Sequence, residues 1–336
     1  MKTMKRIAYA TALAAAMAGS SLPAHADQRF TIMVGGINKI LYLPAELTER
    51  LGYFKKEGLD VRLLSEPAGV NAENELLAGS VQGVVGFYDH TIDLQTKGKT
   101  IESVVQLAKV PGLTELVSRK DEGVIKSAAD FKGKTLGVTA LGASTSFLTQ
   151  YLASRDGVEQ GQFSMLGVGA GSTFIAAMQQ GRIAAGMTSD PTAARLLSTG
   201  EAKVLVDLRT EAGTRAALGG VYPAASLYMP NSWANSHKAE VTKLVKAFVM
   251  TLQYIHTHTA EQIADEMPRD YYAGNKALYV QALKASLPMF TANGLMPKDG
   301  PETVLKVLSA VKTNVKSTYV NLSETYTNTF VKAAER

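Results

Sequence analysis

The sequence predicts an α/β protein of two lobes, in which each lobe is a mostly parallel sheet flanked by helices and a helical tail completes the chain. Short apolar runs alternate with helical patterns over residues 30–107, and the same alternation restarts at residue 135. From about residue 232 the pattern becomes almost entirely helical. Strands separated by helical segments form βαβ units, whose strands lie parallel in one sheet.

Each of the two sets supplies four predicted strands with helices between them. In the first set, strands are predicted at 30–34, 59–64, 81–87 and 101–107, and helices at 40–53, at 71–78 and from residue 89. In the second set, strands are predicted at 135–139, 163–168, 183–187 and 203–207, and helices at 144–155, 173–180 and 192–197. A loop around Gly219 and Gly220 follows the second set.

The tail contains a long amphipathic helix. Its apolar residues recur at the spacing of one helical face, at Val241, Leu244, Val245, Phe248, Val249, Leu252 and Ile255. Further helices are predicted near 275–287, 301–314 and 323–334.

Two extended stretches, at 113–119 and 224–229, flank the second set. If both cross between the lobes, lobe one is discontinuous and comprises residues 27–112 and 230–336, while lobe two with its hinge strands comprises 113–229. A crossing by two strands acts as a hinge.

The N-terminal segment has the features of a cleavable signal peptide over residues 1–26. Lys2, Lys5 and Arg6 precede a short apolar run, and Ala24-His25-Ala26 is a cleavage site. No cysteine follows this run, so we expect no lipid anchor, and we expect the mature protein in the periplasm. The net charge is +5, and removing the three basic residues of this segment leaves +2. Such a weak balance argues against nucleic acid as a partner.

The composition and motifs exclude several kinds of chemistry. The 336 residues contain no cysteine, which excludes disulfides, thiolate metal sites and cysteine nucleophiles. Neither Gly-Lys-Thr run has the first glycine of a P-loop, and Ser172 stands where the dinucleotide fingerprint has its third glycine. His256 and His258 would point to different helix faces. We therefore expect no cofactor, no metal site and no catalytic residue.

Polar residues gather where predicted strands end and helices begin. The turns at 141–146 and 169–173 combine glycines with hydroxyl side chains at a helix start, which suits binding of an anion by backbone N–H groups. Equivalent turns in the first set are 35–39, with Tyr42 just after, and 86–91. The comparable acid of the second set is Asp190. The alternative is that these side chains only cap helices. Both interpretations stay open here.

Four runs resemble the periplasmic substrate-binding proteins of ABC importers, and specifically the nitrate/sulfonate/taurine-binding family. They are GYFKKEGLDV at 52–61, LLAGSV at 76–81, DFKGKTLGV at 130–138 and AAMQQGRIAA at 176–185. The resemblance implies a type II-like periplasmic binding protein, with two lobes that close on a ligand between them. It implies as partners an ABC permease and its ATPase, and a monomeric binding protein. The ligand contacts that it implies are Asn38, Tyr42, Tyr88, Asp89, His90, Ser144, Thr145, Ser146, Gly171, Ser172, Thr173 and Asp190.

The candidate turns favour a small organic anion as the ligand. They contain no arginine and a single lysine, Lys39, which suits a monoanion such as a sulfonate, a taurine-like compound or an aromatic or aliphatic carboxylate. Nearby Tyr42, Phe87, Tyr88 and Phe147 offer surfaces for an organic body.

Two other functions remain in competition with this one. One is an exported enzyme that uses Asp89 and His90 as an acid–base pair, and the other is a ligand-bound sensor partner of a membrane kinase. The superfamily also includes a eukaryotic thiamine-pyrimidine synthase with a cysteine-rich motif, which this cysteine-free chain does not share.

Overall fold

The computed structural model describes residues 29–272 and 274–335. The predicted signal peptide lies outside the described residues. The chain begins with β1 (Phe30–Val34), α1 (Leu43–Arg50), α2 (Tyr53–Lys56), β2 (Val61–Ser65), α3 (Gly69–Leu77), β3 (Gly83–Phe87), α4 (Asp89–Gln95) and β4 (Ile101–Gln106). It continues with β5 (Leu113–Ser118), β6 (Thr135–Val138), α5 (Ser144–Arg155), β7 (Ser164–Gly167), α6 (Ser172–Gln179), β8 (Ala185–Ser189), α7 (Thr192–Ser198), β9 (Ala202–Asp207) and α8 (Glu211–Leu218).

The tail starts with one strand and is otherwise helical. It comprises β10 (Ala225–Pro230), α9 (Asn231–Ser236), α10 (Lys238–Thr257), α11 (Ala260–Glu266), α12 (Lys276–Ser286), α13 (Gly300–Val311), α14 (Thr313–Ser317) and α15 (Thr329–Ala334). Within the described ranges, no helix is both long and apolar enough to cross a membrane.

The strands form two five-stranded sheets with the same topology. The order is β2-β1-β3-β10-β4 in one sheet and β7-β6-β8-β5-β9 in the other. We call each sheet with its helices a lobe, lobe one containing β1 and lobe two containing β6. In each sheet four strands run parallel and one strand, β10 or β5, runs antiparallel to both neighbours. The prediction of mostly parallel sheets in two α/β lobes is confirmed.

The antiparallel strands explain the two extended stretches. Residues 113–119 and 224–229 were expected as hinge strands, but they correspond to β5 and β10, which are integral sheet strands. The chain passes from lobe one to lobe two just before β5 and returns just before β10. The two passages are joined by backbone hydrogen bonds, in which Ala224 N–H donates to the Ala108 carbonyl at 3.0 Å and Leu107 N–H donates to the Ala225 carbonyl at 2.8 Å.

Helix boundaries differ from prediction where a backbone feature interrupts the apolar period. The helix predicted at 40–53 is a short 3₁₀ turn followed by α1 and α2, because Gly52 adopts a left-handed conformation with φ of 69° between them. The helix predicted at 301–314 is split at Lys312, whose backbone is extended.

The sequence analysis missed the short helices α2 and α8. It expected an almost entirely helical chain from about residue 232, where α9 and α11 lie, but did not predict these two helices individually. The loop that it expected around Gly219 and Gly220 is present, and α8 ends directly before it, at Leu218. Thr210 caps α8 by accepting a hydrogen bond from Gly213 N–H at 3.0 Å, and Gly219 ends it with a positive φ of 84°.

The tail contacts both lobes. Helix α10 packs on α1, α2 and β4 of lobe one, whereas α12 packs on α7 and α13 packs on α5, both in lobe two. At the end of α13, the Lys312 ammonium lies 3.0 Å from the Asp93 carboxylate of lobe one and 4.4 Å from the ring centre of Phe147 of lobe two. The helical tail therefore links the two lobes by contacting both of them.

Candidate functional site

The ends of the parallel strands meet at the gap between the lobes. The turns after β1, β2 and β3 face those after β6, β7 and β8, as expected for the carboxyl edges of open α/β sheets. A cavity of about 390 Å³ opens there, which we call the outer cavity. Its walls are Gly36, Ile37, Asn38, Lys39, Ser65, Glu66 and Pro67 from lobe one, and Gly169, Ala170, Gly171, Thr173, Pro191 and Thr192 from lobe two.

Lys39 is the notable charge of this cavity. Its side chain is 9% exposed, and its ammonium donates hydrogen bonds to the carbonyls of Gly35 at 2.6 Å and Pro67 at 2.9 Å. Among the described residues, no carboxylate lies within 4.0 Å of it. Burial lowers the pKa of Lys39 from 10.5 to about 8, because an ammonium without a counterion is poorly solvated there. The site therefore presents a buried cation, which a bound anion would stabilise.

Gly36 sets the position of this ammonium. A Cβ at Gly36 would lie 2.5 to 2.9 Å from the last three atoms of the Lys39 side chain, and the φ of Gly36 is +115°. We expect Gly36→Ala to displace the Lys39 ammonium and to weaken anion binding by about tenfold, through loss of one charge-assisted hydrogen bond. Titration calorimetry with a sulfonate measures this. Alanine at Gly161, which has a positive φ of 93° and open space around it, is the control for backbone strain.

A second, smaller space lies deeper in the gap. This inner cavity measures about 20 Å³, roughly the room needed for one water molecule. Tyr42, Ser144, Thr145 and Ser189 line it, and Lys39 lines both cavities. The Ser189 hydroxyl is buried and has no hydrogen-bond partner in the described chain. The inner cavity can thus accept a small polar group that extends from the outer cavity.

Asp89 joins the two lobes behind the inner cavity. It is fully buried, and its carboxylate accepts hydrogen bonds from Ser144 Oγ and from Tyr222 OH, each at 2.8 Å. Burial raises the pKa of Asp89, while His90, Tyr222 and Ser144 oppose that rise. Since Ser144 begins α5 in lobe two, this hydrogen bond fixes the start of α5 against lobe one.

His90 pairs with a residue that the sequence analysis missed. His90 Nδ1 lies 2.5 Å from Glu73 Oε2, whereas His90 Nε2 is 4.0 Å from Asp89 Oδ1. Burial opposes the charged ring, but the Glu73 carboxylate outweighs it and raises the pKa of His90. Neither Asp89 nor His90 lines the two cavities described above. In this geometry, Asp89 and His90 therefore do not form a directly hydrogen-bonded acid–base pair.

Asp190 connects several elements of the fold through hydrogen bonds. Its carboxylate accepts from Ala194 N–H at 2.9 Å, from Arg209 at 3.2 Å and from Ser286 Oγ of α12 at 3.1 Å. Its carbonyl accepts from Ile40 N–H across the gap at 2.9 Å. The capping interpretation describes its side chain well, and all its oxygens are already engaged.

Besides Asp89, His90 and Asp190, three further predicted contacts lie away from both cavities. The Tyr88 hydroxyl is buried against Thr325 at 2.5 Å, Ser146 Oγ contacts Gln150 at 3.0 Å inside lobe two, and the exposed Ser172 lines neither space. The structure brings Asn38, Gly171 and Thr173 together at the outer cavity and Tyr42, Ser144 and Thr145 at the inner one.

A sequence signal existed for Glu73 but not for Glu66. Glu73 occupies a buried face of α3 with Gly69, Ala72 and Leu76, so its helical spacing marks it as an inward acid. Glu66 follows β2 in an ordinary turn, and its position in the outer cavity depends on tertiary structure. Tyr222, just before β10, likewise carries no local signal of its contact with Asp89.

Comparison with solved structures supports this architecture. A protein from Bordetella bronchiseptica RB50 is 32% identical, with a TM-score of 0.87 over 91% of this chain and 96% of that one. The nitrate-binding protein NrtA from Synechocystis PCC 6803 is 12% identical, with a TM-score of 0.72 over 91% and 88%. The alkanesulfonate-binding protein SsuA from Xanthomonas axonopodis pv. citri is 14% identical, with a TM-score of 0.71 over 89% and 98%. The last two, at this identity, show a shared fold.

Sequence comparison identifies the family. A yeast relative, the pyrimidine phosphate synthase THI11 of Saccharomyces cerevisiae, is 31% identical over 97 residues, and the match spans 29% of this chain and 28% of the yeast protein. The pattern of the family described as NMT1/THI5 like matches residues 43–262, well over half of the chain. The chain, with its two lobes and their shared cleft, therefore belongs to the NMT1/THI5-like family.

Proposed function

We propose that this protein is the periplasmic solute-binding component of an ABC importer, and that it captures a small organic anion between its lobes for delivery to a membrane permease and its ATPase. The observation that carries the proposal is the outer cavity, which opens between the lobes and presents the buried ammonium of Lys39, a cation that has no carboxylate partner in the part of the chain that the structure describes. An anion bound there removes the cost of burying an isolated charge.

The size and lining of the cavity favour an organic anion over a bare inorganic one. Its volume of about 390 Å³ falls in the range of small-molecule sites. Ile37, Pro67, Ala170 and Pro191 supply apolar surface, and nitrate would leave most of that surface unused. The start of α6, at Gly171 and Thr173, adds polar groups from lobe two.

Contacts from both lobes supply a mechanism for capture. A ligand that touches Lys39 in lobe one and the α6 start in lobe two binds the closed arrangement more tightly than an open one. It thereby shifts the population towards closure. No bond of the ligand is made or broken in this cycle, and the closed surface is what a permease recognises.

Binding is tested by thermal denaturation with a panel of probes. Propane-1-sulfonate, benzenesulfonate, butyrate and benzoate are compared with nitrate and with the neutral propanol and benzamide. We expect at least one organic anion to raise the melting temperature in a dose-dependent manner, and the neutral analogues to have no effect. Chromatography of the probe after incubation with the protein shows whether it has been converted to a product. Conversion to a product would favour the competing enzyme, and the absence of any shift would contradict the proposal.

The pKa of Lys39 predicts how binding depends on pH. Because that pKa is about 8 in the free protein, the ammonium is lost as the pH rises through 8. A sulfonate keeps its charge throughout, so we expect its dissociation constant to rise up to tenfold per pH unit above 8 and to stay level below it. Calorimetry between pH 6 and 10 measures this. Lys39→Arg, whose charge persists, should flatten the profile, and an equally steep profile in that variant would assign the titration to another group.

A further inference from the structure

Asp89 and Asp190 occupy equivalent places in the two lobes. The sheet orders β2-β1-β3-β10-β4 and β7-β6-β8-β5-β9 correspond strand by strand, so that β3 is the counterpart of β8. Asp89 follows β3 and begins α4, and Asp190 follows β8 and stands two residues before α7. Both side chains are buried, and neither lines the outer or the inner cavity. Two matched acids therefore lie at the cleft edge of the sheets, outside the space for the ligand.

Each of these carboxylates accepts a hydrogen bond from a buried serine on the other side of the gap. Ser144 Oγ, at the start of α5 in lobe two, donates to Asp89 of lobe one at 2.8 Å. Ser286 Oγ, at the end of α12 in the tail, donates to Asp190 of lobe two at 3.1 Å. Lobe one thus supplies the acid in the first contact, and lobe two supplies it in the second.

The end of α12, which carries Ser286, is anchored to lobe one. Soon after this residue, Thr291 N–H donates to the Leu107 carbonyl at 2.8 Å, and the Gly294 carbonyl accepts from Gln106 N–H at 2.9 Å. Gln106 is the last residue of β4, and Leu107 follows it. Main-chain hydrogen bonds therefore attach Ser286 to lobe one, while its hydroxyl reaches lobe two.

Further donors fix each acid within its own lobe. Tyr222 OH, just before β10 of lobe one, donates to Asp89 at 2.8 Å. Ala194 N–H and the Arg209 guanidinium, both of lobe two, donate to Asp190 at 2.9 and 3.2 Å. Because each carboxylate is held on its own side, opening the cleft separates it from the serine of the other side. Each serine contact consequently favours the closed cleft.

We propose that the contacts Ser144–Asp89 and Ser286–Asp190 are paired latches, which hold the cleft closed through the protein's own side chains. Ser286 is then a positioning residue that sets the affinity for the ligand without touching it. The apparent affinity of a ligand falls in proportion to the fraction of molecules in the binding-competent, closed arrangement. The effect on affinity rests on the proposed function, whereas closure by the latches does not depend on it.

The distance between two spin labels, one on each lobe, tests the latches directly. The chain contains no cysteine, so Asn74→Cys on α3 and Gln180→Cys directly after α6 place the labels at these two exposed positions alone. The protein is unfolded in guanidinium chloride, dialysed and refolded, which removes any small molecule carried through purification. Double electron–electron resonance at pH 7 then gives the distribution of distances, and circular dichroism checks that each variant is folded.

Removing the serine hydroxyls should open the cleft. We expect Ser144→Ala and Ser286→Ala each to add a population at longer label distances, and the double variant to add the largest one. Ser154→Ala, at an exposed position of α5, and Ser317→Ala, at the exposed end of α14, are the matched controls. Both controls should keep the parent's distribution.

Calorimetry with the tightest-binding probe of the anion panel tests the positioning role. Ser286 lines neither cavity, whereas Ser144 lines the inner one, so Ser286→Ala is the informative variant. We expect its dissociation constant to rise by about two- to tenfold, in step with the closed population lost in the distance distribution. Ser317→Ala should bind as the parent does.

The outcomes separate this inference from the proposed function. If the double variant keeps the parent's distances, the latches are refuted while anion capture at Lys39 stands. A shift in only one of the two single variants would overturn their pairing, and an unchanged dissociation constant in an opened Ser286→Ala would overturn its positioning role. If no anion binds the parent, the proposed function fails, and the label distances still decide whether the latches close the cleft.

Discussion

Replacing Lys39 with methionine is expected to weaken binding of an organic anion by about 10- to 100-fold. Hydrogen bonds to a charged group contribute about 1.5–3 kcal/mol, and each 1.4 kcal/mol is about a factor of ten in affinity. Methionine has a similar length and no charge, so it removes the ammonium while filling much of the same volume. Calorimetry with the tightest-binding probe from the anion panel measures the loss.

Folding of the Lys39→Met variant should not be impaired. The lowered pKa of Lys39 means that its burial costs free energy in the free protein, so the variant is expected to melt at or above the parent's temperature. Lys132→Met is the control, since Lys132 is exposed in the turn before β6, at the edge of that sheet opposite the cleft. Full affinity in Lys39→Met, with an intact fold, would refute the assignment of the anion site.

Replacing Glu115 with glutamine is expected to stabilise the protein strongly above neutral pH. Glu115 lies on β5 and is fully buried; Thr149 Oγ1 donates to one oxygen at 2.9 Å, and the other oxygen has no hydrogen-bond partner in the described chain. Burial raises the pKa of Glu115 from 4.5 to about 8. The protein must therefore protonate this carboxyl or keep a poorly solvated charge.

The sign of the pH effect follows from the direction of that shift. Between pH 4.5 and 8 the folded state binds the proton more tightly than the unfolded state, so the parent loses stability as the pH rises through this window. A shift of this size corresponds to about 5 kcal/mol, which is roughly 10 °C in melting temperature. Glutamine does not titrate, so we expect the variant to exceed the parent by roughly that amount at pH 8.5 and to match it near pH 4.

Thermal denaturation of both proteins across pH 4–9 measures this difference. Glu159→Gln, at an exposed position of lobe two, should follow the parent at every pH. A constant offset between Glu115→Gln and the parent would show that the ionisation of Glu115 does not control stability.

The turn at the start of α5 has features of both functions that the sequence allowed for it, ligand binding and a purely structural role. Ser144 and Thr145 were expected to bind an anion or only to cap the helix. Both line the inner cavity, yet the Ser144 hydroxyl donates to the Asp89 carboxylate of lobe one. The group held at this helix start is thus a carboxyl group of the protein itself, and the hydrogen bond links the lobes.

Local sequence determined the elements of the fold. Buried strands such as β3 and β4, and the amphipathic face of α10, show their periodicity directly, because burial on a sheet or along a helix repeats at a fixed spacing. The turns of the cleft were also visible, since glycine and hydroxyl residues at strand ends reflect local backbone requirements. The boundaries at Gly52 and Lys312 were not visible, because a single backbone conformation decides each of them.

Only the tertiary structure decided which polar residues meet. Lys39 and Glu66 come from turns after different strands. Ser144 and Tyr222, which donate hydrogen bonds to Asp89, follow it by 55 and 133 residues along the chain. The sequence by itself determined two α/β lobes with polar turns at their strand ends. Which of those turns face the cavity, and which charges remain unpaired there, depends on long-range packing of the lobes, whose contacts leave no periodic signal in the chain.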